Sequence, residues 1–127
     1  MMITPKIIPS IWISTENGQL AETLAYYKAV FGADFTSGTP IPLGDTPSGN
    51  TEMCQIKLFG LPYSLMATAQ EHHPLNDAFS LTLRCSDQNE IDHFWDYFTA
   101  DGSESACGWC IDKYGLDGSI PHNLESF

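Results

Sequence analysis

Apolar and polar positions along this chain fall into a sequence of short elements that runs twice. Lys6 to Ser14 carries Ile7, Ile8, Ile11, Trp12 and Ile13 and reads as a strand, with Pro9 favouring an edge or a bulge near its start. Thr15 to Gly18 is a turn cluster. From about Gln19 to Phe31, Leu20, Leu24, Tyr27 and Phe31 recur at helical spacing. Gly32 stands where a left-handed helix stop is wanted. Ala33 to Thr39 reads as a short strand, and Pro40 to Asn50, rich in proline and glycine, as a mobile loop. Thr51 to Phe59 and Tyr63 to Ala69 predict a hairpin turning at Gly60-Leu61-Pro62. Gln70 to Asn76 is a polar loop.

The pattern then restarts. Ala78 to Cys85 alternates as a half-buried strand does. Asp87, with Glu90 three residues on, is a capping-box start for a helix over about Gln88 to Ala100. Ile91, Phe94, Trp95 and Phe98 share its apolar face, and Gly102 closes it. Ser103 to Cys110 and Leu116 to Leu124 predict two more strands around an Asp112–Gly115 turn. Gly32 and Gly102 lie 70 positions apart, as do Ile11 and Leu81. Such a period implies an internal duplication. The expected architecture is α+β: one domain over residues 1–127 made of two βαβββ-type modules, about 6–69 and 77–127. They form a curved mixed sheet, and the second module is shortened.

Bulk properties narrow the function. The chain has 127 residues, 43% of them hydrophobic and 17% charged, which suits one globular domain. No apolar run approaches the roughly 20 residues of a membrane span. The first ten residues lack a secretory-signal pattern, so a cytoplasmic protein is expected. Net charge is −11, with Lys6, Lys28, Lys57, Arg84 and Lys113 scattered singly. Nucleic-acid binding needs clustered cations and is set aside. Cys54, Cys85, Cys107 and Cys110 are expected as reduced thiols.

Several runs resemble a known family. Leu24-Ala25-Tyr26-Tyr27-Lys28-Ala29-Val30-Phe31-Gly32 is similar to the FY..vFG helix end of glyoxalase-like (vicinal-oxygen-chelate) proteins. Ile11-Trp12-Ile13 resembles the LWF strand of their PhnB-like branch, a group often labelled 3-demethylubiquinone-9 3-methyltransferase-like. Asn76-Asp77-Ala78-Phe79-Ser80 resembles that branch's N-E-A-I-S. Cys107-Gly108-Trp109, followed by Asp112 and Gly115, resembles its CGWLxDxxGxxW signature. The resemblance implies the glyoxalase fold and a dimer made by packing or exchanging modules. It also implies metal-ligand slots near Ile8–Ser10, Met66–Thr68, Phe79 and Gly118–Ser119. None of these is His, Asp or Glu, so no metal and no other cofactor is expected. Where the branch carries Trp-Gln, this chain has Asp117-Gly118-Ser119. The methyltransferase label finds no glycine-rich strand-to-helix loop to hold a nucleoside cofactor.

The candidate chemistry is therefore a binding surface. Trp12, Tyr63, Met66, Phe79 and Trp109 sit on strands expected to face a cup, with His72 at its mouth. Such a surface suits a small, mostly apolar organic molecule. The cup near Met66, Phe79 and Ser119 is expected to be uncharged. The competing reading is that these residues only fill the core. Two enzyme readings stand beside it. One is a lyase or transferase of the same fold with an atypical metal site. The other is a dithiol redox protein using Cys107 and Cys110. Three-residue spacing in a strand points those thiols to opposite faces, and no helix follows to lower a thiol pKa. His72 and His73 lie in a loop and His93 on a polar helix stripe, where solvated surface is the simpler reading; His122 has no nameable partner. Glu52 and Gln55 lie on opposite faces of one strand, and an inward Glu52 is a candidate base.

Overall fold

A computed structural model describes residues 5–71 and 74–121. His72, His73 and His122 lie outside them. The chain divides into two compact units, residues 1–73 and 74–127.

In the first unit, strand β1 (Ser10–Ser14) leads to helix α1 (Ala21–Phe31) and then to β2 (Phe35–Ser37), β3 (Ile41–Thr46), β4 (Gly49–Leu58) and β5 (Leu61–Thr68). The sheet order is β1-β5-β4-β2, with β3 also on β4. β1 runs parallel to β5; the other pairs are antiparallel. β2 and β3 thus act as one interrupted strand along β4. The residues expected to form a loop from Pro40 to Asn50 are therefore mostly paired. Proline is tolerated there because this is the sheet's edge, and the register slips between Pro42 and Gly44 to accommodate it. β1 starts after Pro9 rather than at Lys6. The β4–β5 turn falls at Phe59-Gly60, with φ of 51° and 81°, one residue earlier than the sequence suggests. Two positive φ values in a two-residue loop match strand twist.

Alternation divides the sheet into two faces. Ile11, Ile13, Leu65, Ala67, Cys54 and Ile56 are all buried on the face that carries α1. The helix presents Leu20, Thr23, Tyr26, Tyr27 and Val30. Its buried stripe is rotated from the expected one: Leu24 and Phe31 are only half-buried. Phe31 instead packs edge-on against Phe59, ring centroids 5.6 Å apart. Gly32 has the positive φ expected of it, 58°, but an extended ψ of −128°, so the chain leaves the helix by a 3-10 turn (Gly32–Asp34).

Glu52 has a structural task. Its Oε1 accepts the backbone N–H of Leu20, the residue at the α1 N-cap, at 2.9 Å. Leu20 has no side-chain oxygen with which to cap the helix, so a carboxylate from β4 does so, where the helix dipole favours negative charge. This accounts for Glu52 without a catalytic role. Glu52→Ala is expected to cost about 1 kcal/mol of stability, as loss of an N-cap does. Denaturant melts would check this; an unchanged midpoint would contradict the capping role.

The second unit repeats the topology in fewer residues. β6 (Ser80–Thr82), α2 (Gln88–Asp101), β7 (Ser103–Glu104), β8 (Trp109–Ile111) and β9 (Asp117–Ser119) follow in order. The sheet order is β6-β9-β8-β7, again with the first strand parallel to the last. β1 and β6 both begin 70 residues apart, at Ser10 and Ser80, and α1 and α2 end 70 apart, at Phe31 and Asp101. The predicted capping start holds: Asp87 Oδ1 accepts the Glu90 N–H at 2.8 Å. β6 is much shorter than Ala78–Cys85. The single strand expected over Ser103–Cys110 is split by a turn with positive φ at Cys107 and Gly108.

Candidate functional site

The register places residues across each sheet face that α1 and α2 leave uncovered. In the first unit, Trp12 is opposite Met66, Met66 opposite Met53, and Met53 opposite Ile41. This is one continuous apolar row across four strands. Ser10, Ser64 and Gln55 form the row on one side; Ser14, Thr68 and Thr51 form the row on the other. All three rows are uncharged. Trp12 Nε1–H donates to Thr68 Oγ1 at 2.8 Å, and the Thr68 hydroxyl donates onward to the Gln70 carbonyl at 2.8 Å. The ring is thereby held in place while 37% of Trp12 stays exposed. Met66 was legible in the sequence and Met53 was not, because its place in the row depends on the β4–β5 register.

In the second unit, Ser80 is opposite Asp117 and Asp117 opposite Ile111. The neighbouring row runs from Thr82 through Ser119 to Trp109. Buried Cys110 and its partner Gly118 lie on the other side. By register Cys110 corresponds to Cys54, Trp109 to Met53 and Asp117 to Ser64. Phe79 precedes β6 and is exposed. Trp12 and Met66 thus belong to the first unit, Phe79 and Trp109 to the second, and His72 to neither set of described residues. Tyr63 has the opposite parity to Met66 along β5 and sits half-buried across from Ile56.

Asp117 corrects the expectation of an uncharged surface around Ser119. It is two residues from Ser119 on the same strand, hence on the same face, and only 4% exposed. Burial pushes its carboxyl above the ordinary range, and the nearby charge of Asp77 pushes it further. The folded state therefore holds this proton to higher pH than the unfolded chain does. Its contribution favours folding most below the ordinary value of 3.8 and is lost as pH rises through the folded value. Asp117→Asn is expected to raise the melting temperature more at pH 7 than at pH 4. Equal gains at both pH values would contradict this.

Cys107 and Cys110 sit in different surroundings. All four cysteines are free. Cys107 is exposed in the turn, whereas Cys110 is buried in β8. Burial, reinforced by Asp112 and Asp117, raises the Cys110 thiol to about 11; a reactive thiolate needs the opposite shift. Asp112 has its own task, accepting the N–H groups of Tyr114 and Leu116 at 2.8 and 3.1 Å. Among the described residues, no group of three or more His, Cys, Asp or Glu comes together to hold a metal. No described helix is long and apolar enough to cross a membrane.

Comparison with known proteins agrees with this architecture. The chain matches the PhnB protein from Bacillus cereus at 21% identity and a TM-score of 0.71, over 92% of this chain and 98% of that one. It matches protein PA1353 from Pseudomonas aeruginosa at 16% identity and 0.61, over 91% and 97%. The fosfomycin resistance protein FosX from Listeria monocytogenes matches at 15% identity and 0.60, over 98% and 96%. At these identities the likeness shows the fold. No curated protein matches. The profile of the family described as 3-demethylubiquinone-9 3-methyltransferase matches residues 5–120. With nearly its whole length covered, the chain belongs to this PhnB-like family and has the fold of the glyoxalase-like, vicinal-oxygen-chelate superfamily.

Proposed function

We propose that the chain binds a small, mostly apolar organic molecule on the uncovered face of its first unit, with Trp12, Met66 and Met53 as the contact row. The observation that carries this reading is the tethered Trp12 ring in line with two methionines. An aromatic ring supplies large contact area at low entropic cost, and methionine adapts to irregular shapes. Ser10, Ser64 and Gln55 alongside the row are exposed or half-buried and offer a few polar contacts, as ligand sites commonly do. FosX from Listeria monocytogenes, in the same fold, has been seen with Mn(II) and 1S,2S-dihydroxypropylphosphonic acid. Here the residues favour apolar contact over metal coordination. Phe79 and Trp109 are proposed as contacts on the second unit's own sheet face, and His72, also proposed from the sequence, lies outside the described residues.

A thermal-shift and tryptophan-fluorescence screen over metals and small aromatic or thiol compounds tests this. An aromatic hit whose affinity falls about thirtyfold or more in Trp12→Ala, the scale of a lost aromatic hot spot, is the expected result. Hits indifferent to Trp12, or stoichiometric metal in protein purified without chelator, would overturn it in favour of a metal-dependent lyase or transferase.

We also propose a homodimer in the cytoplasm. The edge strand β3 carries exposed Ile41 and Leu43, and apolar edges call for cover. Free thiols suit a reducing compartment. Light scattering after size exclusion should give twice the chain mass; a monomer at micromolar concentration would defeat the dimer.

A further inference from the structure

Alternation along β4 puts Lys57 on the same uncovered face of the first unit as Met53 and Gln55. Lys57 lies four residues beyond Met53, which at strand rise is about 13 Å. The register sets it between Pro62 on β5 and Thr36 on β2. The row of Ser10, Ser64 and Gln55 stands between Lys57 and the Trp12 row. Among the described residues that these pairings place in the four rows of this face, Lys57 alone is charged. A cation on a face free of acids stands out in a chain with 16 acidic residues and five lysines and arginines. Exposure rises towards it. Thr51 and Thr68 are buried, Met53 and Met66 are half-buried, and Gln55, Lys57 and Thr36 are exposed. The face is therefore closed and neutral at one end, open and cationic at the other.

We propose that the molecule held by the Trp12 row is an amphipathic monocarboxylic acid, with an apolar body and a chain long enough to bring its carboxylate to Lys57. This rests on the binding reading above and names the substrate class of that same surface. The apolar body gains most from leaving water and takes the half-buried methionine row. A carboxylate carried to the closed end would shed its hydration with no cation to replace it. At the open end it keeps much of its water, and Lys57 supplies a compact countercharge. Ser10, Ser64 and Gln55 line the chain between the two ends with neutral hydrogen-bonding groups. A phosphate or phosphonate dianion fits less well, because a single lysine leaves one of its charges unmatched.

6-Phenylhexanoate would be titrated into the full chain at pH 7, with 6-phenylhexanol as its neutral match, following the methionine methyl and Trp12 indole signals by NMR. The acid is expected to bind about fivefold more tightly than the alcohol, the upper range for an exposed ion pair. That advantage should shrink as salt is raised. Lys57→Met should erase the preference, and Lys57→Arg should keep it. Trp12→Ala should weaken both compounds. Lys57 is exposed, so its variants should melt as the parent does, and a melt of each sample verifies this. Equal binding of the two compounds through Trp12 would overturn the carboxylate while leaving the Trp12 surface standing. Binding of neither would overturn both readings. A preference that survives in Lys57→Met, or one indifferent to salt, would also overturn the proposal.

Discussion

Gly102→Ala is expected to destabilise the protein by about 3 kcal/mol or more, at the severe end for a single added methyl group. The cause is steric. Gly102 has an ordinary φ of −116°, but a Cβ there would sit on the Ile111 carbonyl oxygen, with the Phe98 carbonyl 2.7 Å away. Both obstacles are backbone and cannot swing aside. Gly32, 70 residues earlier and also at a helix end, is the control. Its φ is 58°, and a Cβ would meet nothing within 4 Å. Gly32→Ala meets no such clash; its cost is backbone strain alone, about 1–3 kcal/mol for φ of 58° with ψ of −128°. Urea melts of the two variants should differ clearly. Similar midpoints would mean that β8 can retreat from the end of α2.

Leu20→Ala is expected to cost about 2–5 kcal/mol, as truncation of a buried leucine does. Leu20 is fully enclosed at the point where Glu52 meets its backbone N–H. Shortening the side chain opens a cavity and loosens the helix start together, so the upper part of the range applies. Leu61→Ala, at a residue 62% exposed, should shift stability by less than about 0.5 kcal/mol. If the two variants melt alike, the α1 start does not anchor the first core.

Much of this fold was legible as pattern. The 70-residue period identified two modules before any pairing was known, and local chemistry marked the α2 start at Asp87 and the β4–β5 hairpin. The misses share a physical origin in tertiary context. Pro42 reads as loop, although an edge strand can host proline at the cost of a register slip. The α1 stripe was misplaced because Phe31 finds its partner in the Phe59 turn, while Thr23, polar by type, is fully buried with an unpaired hydroxyl among the described residues. Thr23→Val would remove that orphan. Glu52 looked like a possible base because sequence cannot show that the helix it caps lies across the strand.

The candidate sites were legible only in part. Trp12, Met66 and Trp109 stand out by residue type. Met53 and Asp117 do not, since their significance comes from the residue opposite each of them. Asp117 was overlooked because the family's slots fall one and two positions later, at Gly118 and Ser119. The register instead makes Asp117 the counterpart of Ser64, so the two modules share a topology while presenting different chemistry: an apolar row in the first and a buried acid beside tryptophan in the second.

The central claim is that the Trp12–Met66–Met53 row is a ligand-binding surface rather than filled core. The most direct measurement is NMR of protein carrying labelled methionine methyls and tryptophan indoles, titrated with an aromatic hit from the screen. The account predicts saturable shifts at Met53, Met66 and the Trp12 indole with one shared dissociation constant, and little change at Trp95 on α2. Shifts that never saturate, or that leave Met53 and Met66 unmoved while others respond, would contradict it.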